Sequence, residues 1–433
     1  MFNPDIAILI LIGGFVVLML IRVPITFAIM IASFACAFYM GLSPMSVVLN
    51  MVQGLRNFSL LAIPFFILMG EIMGAGGISD KIMGMANAIV GQVRGGLGLT
   101  NIIASKLFSG MTGSAVADTS TSGSILIPMM KKQGYDDGYS VAVTCASSSV
   151  TILIPPSHNM VLYAVIAGGG ISVAELFLAG LIPGVMLGAA LLVLCYFLSV
   201  VRKYPISGYL TPKERFFAIV KGIAPIMTVV IIMGGVSFGI FTATEAAAIA
   251  CLYAFLLTFI IYRKISIKEM YPIMVRTCRT LSMVLCLIAA ASAYGALMAR
   301  LQVPAMMTNA LLTISDNRIV IFLLITLLLL VLGTVMDMAP MILIMTPILL
   351  PVVTSFGMNP VHFGVVLLFN LAVSLCTPPV GTVLFTGCAI GKVSVEKASK
   401  ALLPMYAVMI AMLLLVTFVP AISLWLPNLM RGL

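Results

Sequence analysis

Long apolar runs separated by short polar or basic stretches recur along the whole chain. Runs over about residues 6–21, 24–41, 58–75, 137–167 and 180–201, and again over about 222–241, 243–262, 280–299, 360–391 and 402–426, are each long enough to predict a membrane-crossing helix. Two shorter amphipathic stretches, 43–57 and 301–315, predict helices lying on the outer surface, and 79–94, with Ser79-Asp80 at its start and the basic Lys81 and Arg94, predicts one on the inner surface. A short outer helix is expected between the Gly168-Gly-Gly turn and the span beginning near 180.

Two further segments do not read as single spans. Residues 95–132 centre on Ser109-Gly-Met-Thr-Gly-Ser-Ala-Val-Ala-Asp, which is too polar and too rich in glycine for lipid, and 317–353 centre on Gly333-Thr-Val-Met-Asp. Both predict re-entrant hairpins, because irregular backbone at membrane depth survives only inside protein or against a watery cavity. The span after each hairpin carries a Pro-Pro pair, Pro155-Pro156 in one and Pro378-Pro379 in the other. Proline removes a backbone donor and clashes with the preceding turn, so each span must break into two half-helices. The freed carbonyls suit a hard cation and the half-helix N-termini suit an anion, which is the arrangement of an ion-coupled secondary transporter.

The order of elements repeats. Pro155 and Pro378 are 223 positions apart, and so are Pro128 and Pro351. Residues 1–201 and 222–433 thus form two repeats around a linker at 202–221, each with five crossings and one hairpin, and an odd number of crossings turns the second repeat upside down. Charge agrees with that topology. Of the 23 Lys and Arg, Arg56, Arg300, Arg318 and Arg431 fall outside, Lys106 lies within a hairpin, and the rest fall inside. Both termini are then outside, and the first run, which lacks a basic leader and an A-x-A-like cleavage site, reads as a retained helix.

Composition narrows the class. The 433 residues are 62% hydrophobic and 8% charged, with a mean hydropathy of +1.22, which excludes an ordinary soluble domain. The net charge of +10 sits in the loops and calls for no nucleic acid. Eight cysteines stand singly, without CxxC or Cys/His spacing, and read as packing residues. With only two histidines, far apart in sequence, and no HExxH, an enzyme is not expected. The fold class is an all-α polytopic membrane protein.

Taken in order, Ile63-Pro-Phe-Phe-Ile-Leu-Met-Gly-Glu-Ile-Met, Ser109-Gly-Met-Thr-Gly-Ser-Ala-Val-Ala-Asp, Ile154-Pro-Pro-Ser, Gly239-Ile-Phe-Thr-Ala-Thr-Glu-Ala-Ala-Ala, Gly333-Thr-Val-Met-Asp and Thr377-Pro-Pro-Val-Gly resemble the large membrane (M) subunit of tripartite ATP-independent periplasmic (TRAP) transporters, DctM-like, over nearly the whole chain. The resemblance implies an elevator-type transporter of the bacterial inner membrane, in which a transport domain holding both hairpins and both broken helices slides against a scaffold. It also implies sodium as the coupling ion, a small membrane (Q) subunit, and a periplasmic binding protein that delivers an organic acid. Other than the sodium ion no cofactor is expected, and surrounding lipid is the remaining partner.

Within that frame, Gly113, Ser114, Asp118, Ser149, Pro155 and Ser157 are the candidates for one sodium site, and Gly333, Asp337, Thr377, Pro378 and Gly381 for a second. Backbone carbonyls freed by Gly and Pro, together with hydroxyls, supply the hard oxygens that sodium prefers. The glycines and serines could instead serve close helix approach, and Asp118 and Asp337 could cap the second helix of each hairpin. His158, Asn159, Lys106 and Thr382 are the candidates for substrate contact. His158 could alternatively donate to a freed carbonyl, and Lys106 could snorkel inward or pair with a buried acid. Glu71 and Glu245 read as structural, in a hydrogen bond or ion pair, and His362 as solvated beside the outer loop. A sugar acid such as sialic acid and a C4-dicarboxylate both fit, and a stand-alone sodium/carboxylate symporter is the alternative reading.

Overall fold

The computed structural model describes residues 3–168, 171–208 and 210–431, so Gly169 and Gly170 of the expected turn lie outside the described residues. Among those described, the chain is helical, with a single isolated bridge between Arg94 and Ile206. α1 (Pro4–Ile8) and α2 (Gly14–Leu20) join through a π turn into one apolar rod, and Asn3 caps its start by accepting from the Asp5 N–H. α3 (Ile25–Tyr39), α4 (Pro44–Gly54) and α5 (Ala62–Ala75) follow. α6 (Ile78–Val90) opens at Gly77, whose φ of 66° suits glycine, and not at Ser79-Asp80.

α7 (Gly96–Thr112) and α8 (Ala115–Lys132) form the first hairpin, and α9 (Asp137–Ser149) and α10 (His158–Ile166) are the halves of the first broken span. α11 (Val173–Val201) is one continuous helix, so the expected short outer helix is its opening turns. Its Gly180 and Gly184 lie directly on the break: a Cβ on Gly180 would stand 2.7 Å from the Leu153 carbonyl oxygen, and one on Gly184 would stand 2.7 Å from Ile154 Cγ1. That packing supports α11 on both sides of Pro183, where the helix lacks a donor.

The linker is shorter than the sequence predicts. A Thr211–Glu214 capping box starts α12 (Pro212–Ser237), which places Lys213, Arg215 and Lys221 on the helix. α13 (Ala243–Leu256) is capped by Thr242 and Glu245 in the same way, the structural role expected of Glu245. A third box, Ser266–Glu269, starts α14 (Ile267–Arg300), so that the basic stretch up to Arg279 is helix rather than loop. After α15 (Val303–Ile314), α16 (Arg318–Gly333) and α17 (Met338–Ser355) make the second hairpin, and α18 (Pro360–Ser374) and α19 (Thr382–Gly391) the second broken span. The expected last span is divided into α20 (Val395–Phe418) and α21 (Ala421–Arg431), because Pro420 brings no donor to continue the helix.

The helices gather into two bodies. In one, α3, α4 and α5 pack on α14, α5 on α13, and α6 on α12. Glycines allow close approach there: a Cβ on Gly54 would fall 2.2 Å from Ser292 Oγ, and one on Gly222 would fall 2.4 Å from Met85 Sδ. In the other, α7 through α11 pack with α16 through α21. The bodies meet where α14 and α15 lie along α17, and where α5, α6 and α12 lie along α7.

One face is strongly charged. There Lys131 and Lys397 pair with Asp137, Arg202 with Asp136, and Arg215 donates to the Ala88 carbonyl at 2.9 Å. Among the described residues seven helices are long and apolar enough to cross a membrane, and the chain is a multi-pass membrane protein.

Candidate functional site

The first hairpin tip is pressed against the first break. Gly113 ends α7 with φ +58°, and a Cβ there would meet Ser157 Cα at 3.2 Å and the His158 nitrogens N and Nδ1 at 3.3 Å. The Asn159 amide donates to the Gly113 carbonyl oxygen at 3.4 Å, so this buried side chain ties α10 to the tip. Ser114 caps α8 by accepting from the Ala117 N–H. The Ser157 hydroxyl is buried without a partner among the described residues, and Pro155 is buried in the break.

Below the tip, a ladder of polar side chains joins α7 to α9. Asn101 donates to Thr144 at 2.7 Å and accepts from Ser147 at 3.0 Å, Ser105 donates to Ser147 at 3.2 Å, and the Ser109 hydroxyl faces the carbonyls of Thr151 (3.0 Å) and Ile154 (2.9 Å). Ser109 thus takes up part of the hydrogen-bonding capacity that the break releases. Sequence reasoning passed over this ladder, although Asn101, Ser105 and Ser109 recur every four residues on an apolar helix, the spacing of a single helix face.

Asp118 sits beside the ladder and is wholly buried. It is Ser114 that caps α8, and Asp118 lies one turn further along. The hydroxyls of Ser105, Ser122 and Ser148 are its neighbours. Ser105 donates to Ser147 and Ser122 to the Asp118 main-chain carbonyl, and among the described residues neither carboxylate oxygen receives a well-formed bond. Among the described residues the Ser148 hydroxyl is also without a partner, whereas Ser149 donates to the Ala146 carbonyl at 2.8 Å. A buried carboxylate costs several kcal/mol unless something compensates it. A cation or a proton would do so here.

The second tip repeats the plan with different chemistry. The offset that relates Pro155 to Pro378 pairs Ser114 with Asp337, and Asp337 occupies the N-cap of α17 but makes no side-chain cap bond and is exposed. A Cβ on Gly333 would fall 2.6 Å from Ser374 Cβ, and the Val380 N–H donates to the Thr334 carbonyl at 3.0 Å, tying tip to break. Thr377 donates to the Val373 carbonyl at 2.9 Å, the Tyr406 hydroxyl bonds the Cys376 carbonyl, and Pro378 borders a surface groove. Gly381 has φ +22°, and the Thr382 hydroxyl is buried without a partner among the described residues. The second break lies against α9, where Cys376 Sγ is 3.2 Å from the Cys145 carbonyl oxygen.

A cavity of about 590 Å³ opens between the two bodies beside the first tip, with Ser114, Ser120, Thr121 and His158 on one wall and Glu71 and Arg276 on the other. Lys106 does not line it. Its side chain instead crosses the face of Gly188 on α11, where a Cβ would stand 1.7 Å from Lys106 Cε. Glu71 accepts from Arg276 Nε at 2.8 Å, the ion pair expected of it. His362, expected to be solvated, is buried, with Nδ1 2.6 Å from Ser423 Oγ and Nε2 3.2 Å from the Thr417 carbonyl oxygen, because α20 and α21 fold over the start of α18.

Residues 12–422 match the family described as tripartite ATP-independent periplasmic transporter, DctM component. The sialic acid TRAP transporter large permease protein SiaM of Vibrio cholerae is 38% identical over 88% of this chain and 89% of its own. The C4-dicarboxylate TRAP transporter large permease protein DctM of Rhodobacter capsulatus is 34% identical over 98% of this chain and 99% of its own. In fold alone, the chain resembles the Alcanivorax borkumensis YdaH transporter, with a TM-score of 0.65 at 11% identity, covering 86% of this chain and 87% of that one. With tips, breaks and cavity arranged as above and the match running from residue 12 to 422, this chain belongs to the DctM component family of tripartite ATP-independent periplasmic transporters.

Proposed function

We propose that this chain is the large permease subunit through which a small organic acid enters the cell, driven by sodium and delivered by a periplasmic binding protein. The observation that carries the reading is the first tip: a buried, uncompensated Asp118 next to unpartnered hydroxyls, one turn from a polar cavity lined by Ser114 and His158. A sodium ion held by Asp118, Ser148 and carbonyls of the tip and break would compensate the carboxylate and order the tip against α10. A second ion belongs at the other tip, around Gly333, Asp337, Thr377 and Gly381. His158 then faces the substrate, with Asn159 holding the tip in place. Relatives named for sialic acid and for C4-dicarboxylates bracket the substrate class.

The body containing both hairpins moves against the other, and the charged face is cytoplasmic, with both termini on the periplasmic side of the inner membrane. A small membrane subunit completes the scaffold. The test is uptake of labelled sialic acid and succinate into proteoliposomes holding this chain and its small subunit, with and without a sodium gradient and the binding protein. Uptake that needs both establishes the tripartite reading and selects the substrate. Robust uptake without the binding protein replaces it with a stand-alone symporter, and uptake indifferent to sodium removes the coupling ion.

A further inference from the structure

The geometry points to a second anion station, formed by Arg276 and held in place by Glu71, on the route by which the organic acid leaves the hairpin tip toward the charged face. The inference rests on the functional reading above and adds residues that the reading does not use. α5 and α14, which carry the pair, belong to the same body, so the pair stays fixed while the tip moves past it. Both side chains line the same cavity as Ser114 and His158. Glu71 engages only the Nε edge of the guanidinium, at 2.8 Å, and the Arg276 side chain remains 52% exposed against 30% for Glu71. Its terminal N–H groups make no protein bond among the described residues. Those two terminal nitrogens are the edge that can grip a carboxylate through two parallel bonds.

The opposite cavity sharpens the point. Between α4, α10, α14 and α17 lies a space of about 520 Å³ lined by Asn50, Gln53, Asn57 and Ser292, with no charged residue on its wall among the described residues. Among the described residues, therefore, a fixed cation lines one vestibule and not the other. In a partly enclosed cavity its attraction for an anion is weakened less by solvent than it would be on an open surface. Glu71 has two effects. It fixes the guanidinium in place, and it shares the positive charge, so that an anion passing from the tip is held weakly enough to leave. The station cannot change the equilibrium that the sodium gradient sets; it changes affinity and rate on one side of the membrane only.

Arg276→Gln and Glu71→Gln separate this role from mere pinning of α5 to α14. The assay is exchange by the reconstituted complex, with sialic acid or succinate, whichever the wild type carries, titrated separately on each side. Arg276→Gln is expected to raise the half-saturating concentration at the charged face about tenfold, with the other face and the sodium dependence unchanged. Glu71→Gln is expected to lower it severalfold, because the guanidinium no longer shares its charge, and Arg276→Lys to recover part of the loss. Equal losses in both glutamine variants, or equal changes at both faces, would overturn the station and leave a structural ion pair. A wild-type complex that carries neither acid overturns the functional reading and this inference with it, an outcome visible before any variant is made.

Discussion

A buried carboxylate that receives no well-formed hydrogen bond among the described residues is the most informative group in this molecule. Asp118 is wholly buried, two of its three neighbouring hydroxyls (Ser105 and Ser122) bond elsewhere and the third (Ser148) makes no bond among the described residues, so removing its charge should relieve a cost rather than add one. Asp118→Asn is therefore expected to fold at least as well as wild type while half-saturating sodium in uptake rises by about tenfold, equivalent to about 1.4 kcal/mol. An unchanged sodium titration would take Asp118 out of the ion site. Gly113 is the second such residue. Its φ of +58° costs an L side chain about 1–2 kcal/mol, and a Cβ would press on α10. Gly113→Ala is expected to lower the uptake rate by roughly tenfold with normal membrane insertion, and wild-type uptake would show that the tip need not seat against His158.

At the level of elements, each broken helix is held by donors from its neighbours as well as by its own turns. Ser109 on α7 faces two carbonyls of the first break, and Tyr406 on α20 serves the second. Ser109→Ala leaves those buried carbonyls without that donor, a loss of about 1–3 kcal/mol. Thermal unfolding of the purified protein should register it as an earlier transition, whereas Ser124→Ala, on the exposed side of α8, should not. The capping boxes at Thr211–Glu214, Thr242–Glu245 and Ser266–Glu269 act at the same scale. Each was present in the sequence as S/T-x-x-E, and reading them as such would have placed the starts of α12 and α14 correctly.

For the whole molecule, the consequence of two packed bodies is that one can be tied to the other. A Cβ on Gly110 of α7 would stand 3.1 Å from Val229 Cβ on α12, close to disulfide range. In a background lacking the exposed Cys278 and Cys286, Gly110→Cys with Val229→Cys is expected to cross-link under mild oxidation. Uptake should fall to background and return on reduction. Full activity of the cross-linked protein would exclude sliding between these bodies.

Composition, the length of the apolar runs and the two Pro-Pro pairs already determined an all-helical membrane protein with two hairpins and two broken spans, because lipid tolerates few other ways of satisfying a backbone. Residue types likewise predicted that Glu71 and Glu245 would be structural. Which polar groups remain unsatisfied is a different kind of fact. It depends on what the neighbouring helices offer, so only the tertiary structure could bury Asp118 without a well-formed hydrogen bond among the described residues, give the cap to Ser114, leave the equivalent Asp337 exposed, and bury His362 under α20 and α21. It also decided that Lys106 lies along Gly188 while Arg276, from a stretch that read as a basic loop, reaches the cavity. Side-chain direction is set by helix phase and by close approach at glycines, and a single sequence does not record either until the helices are packed.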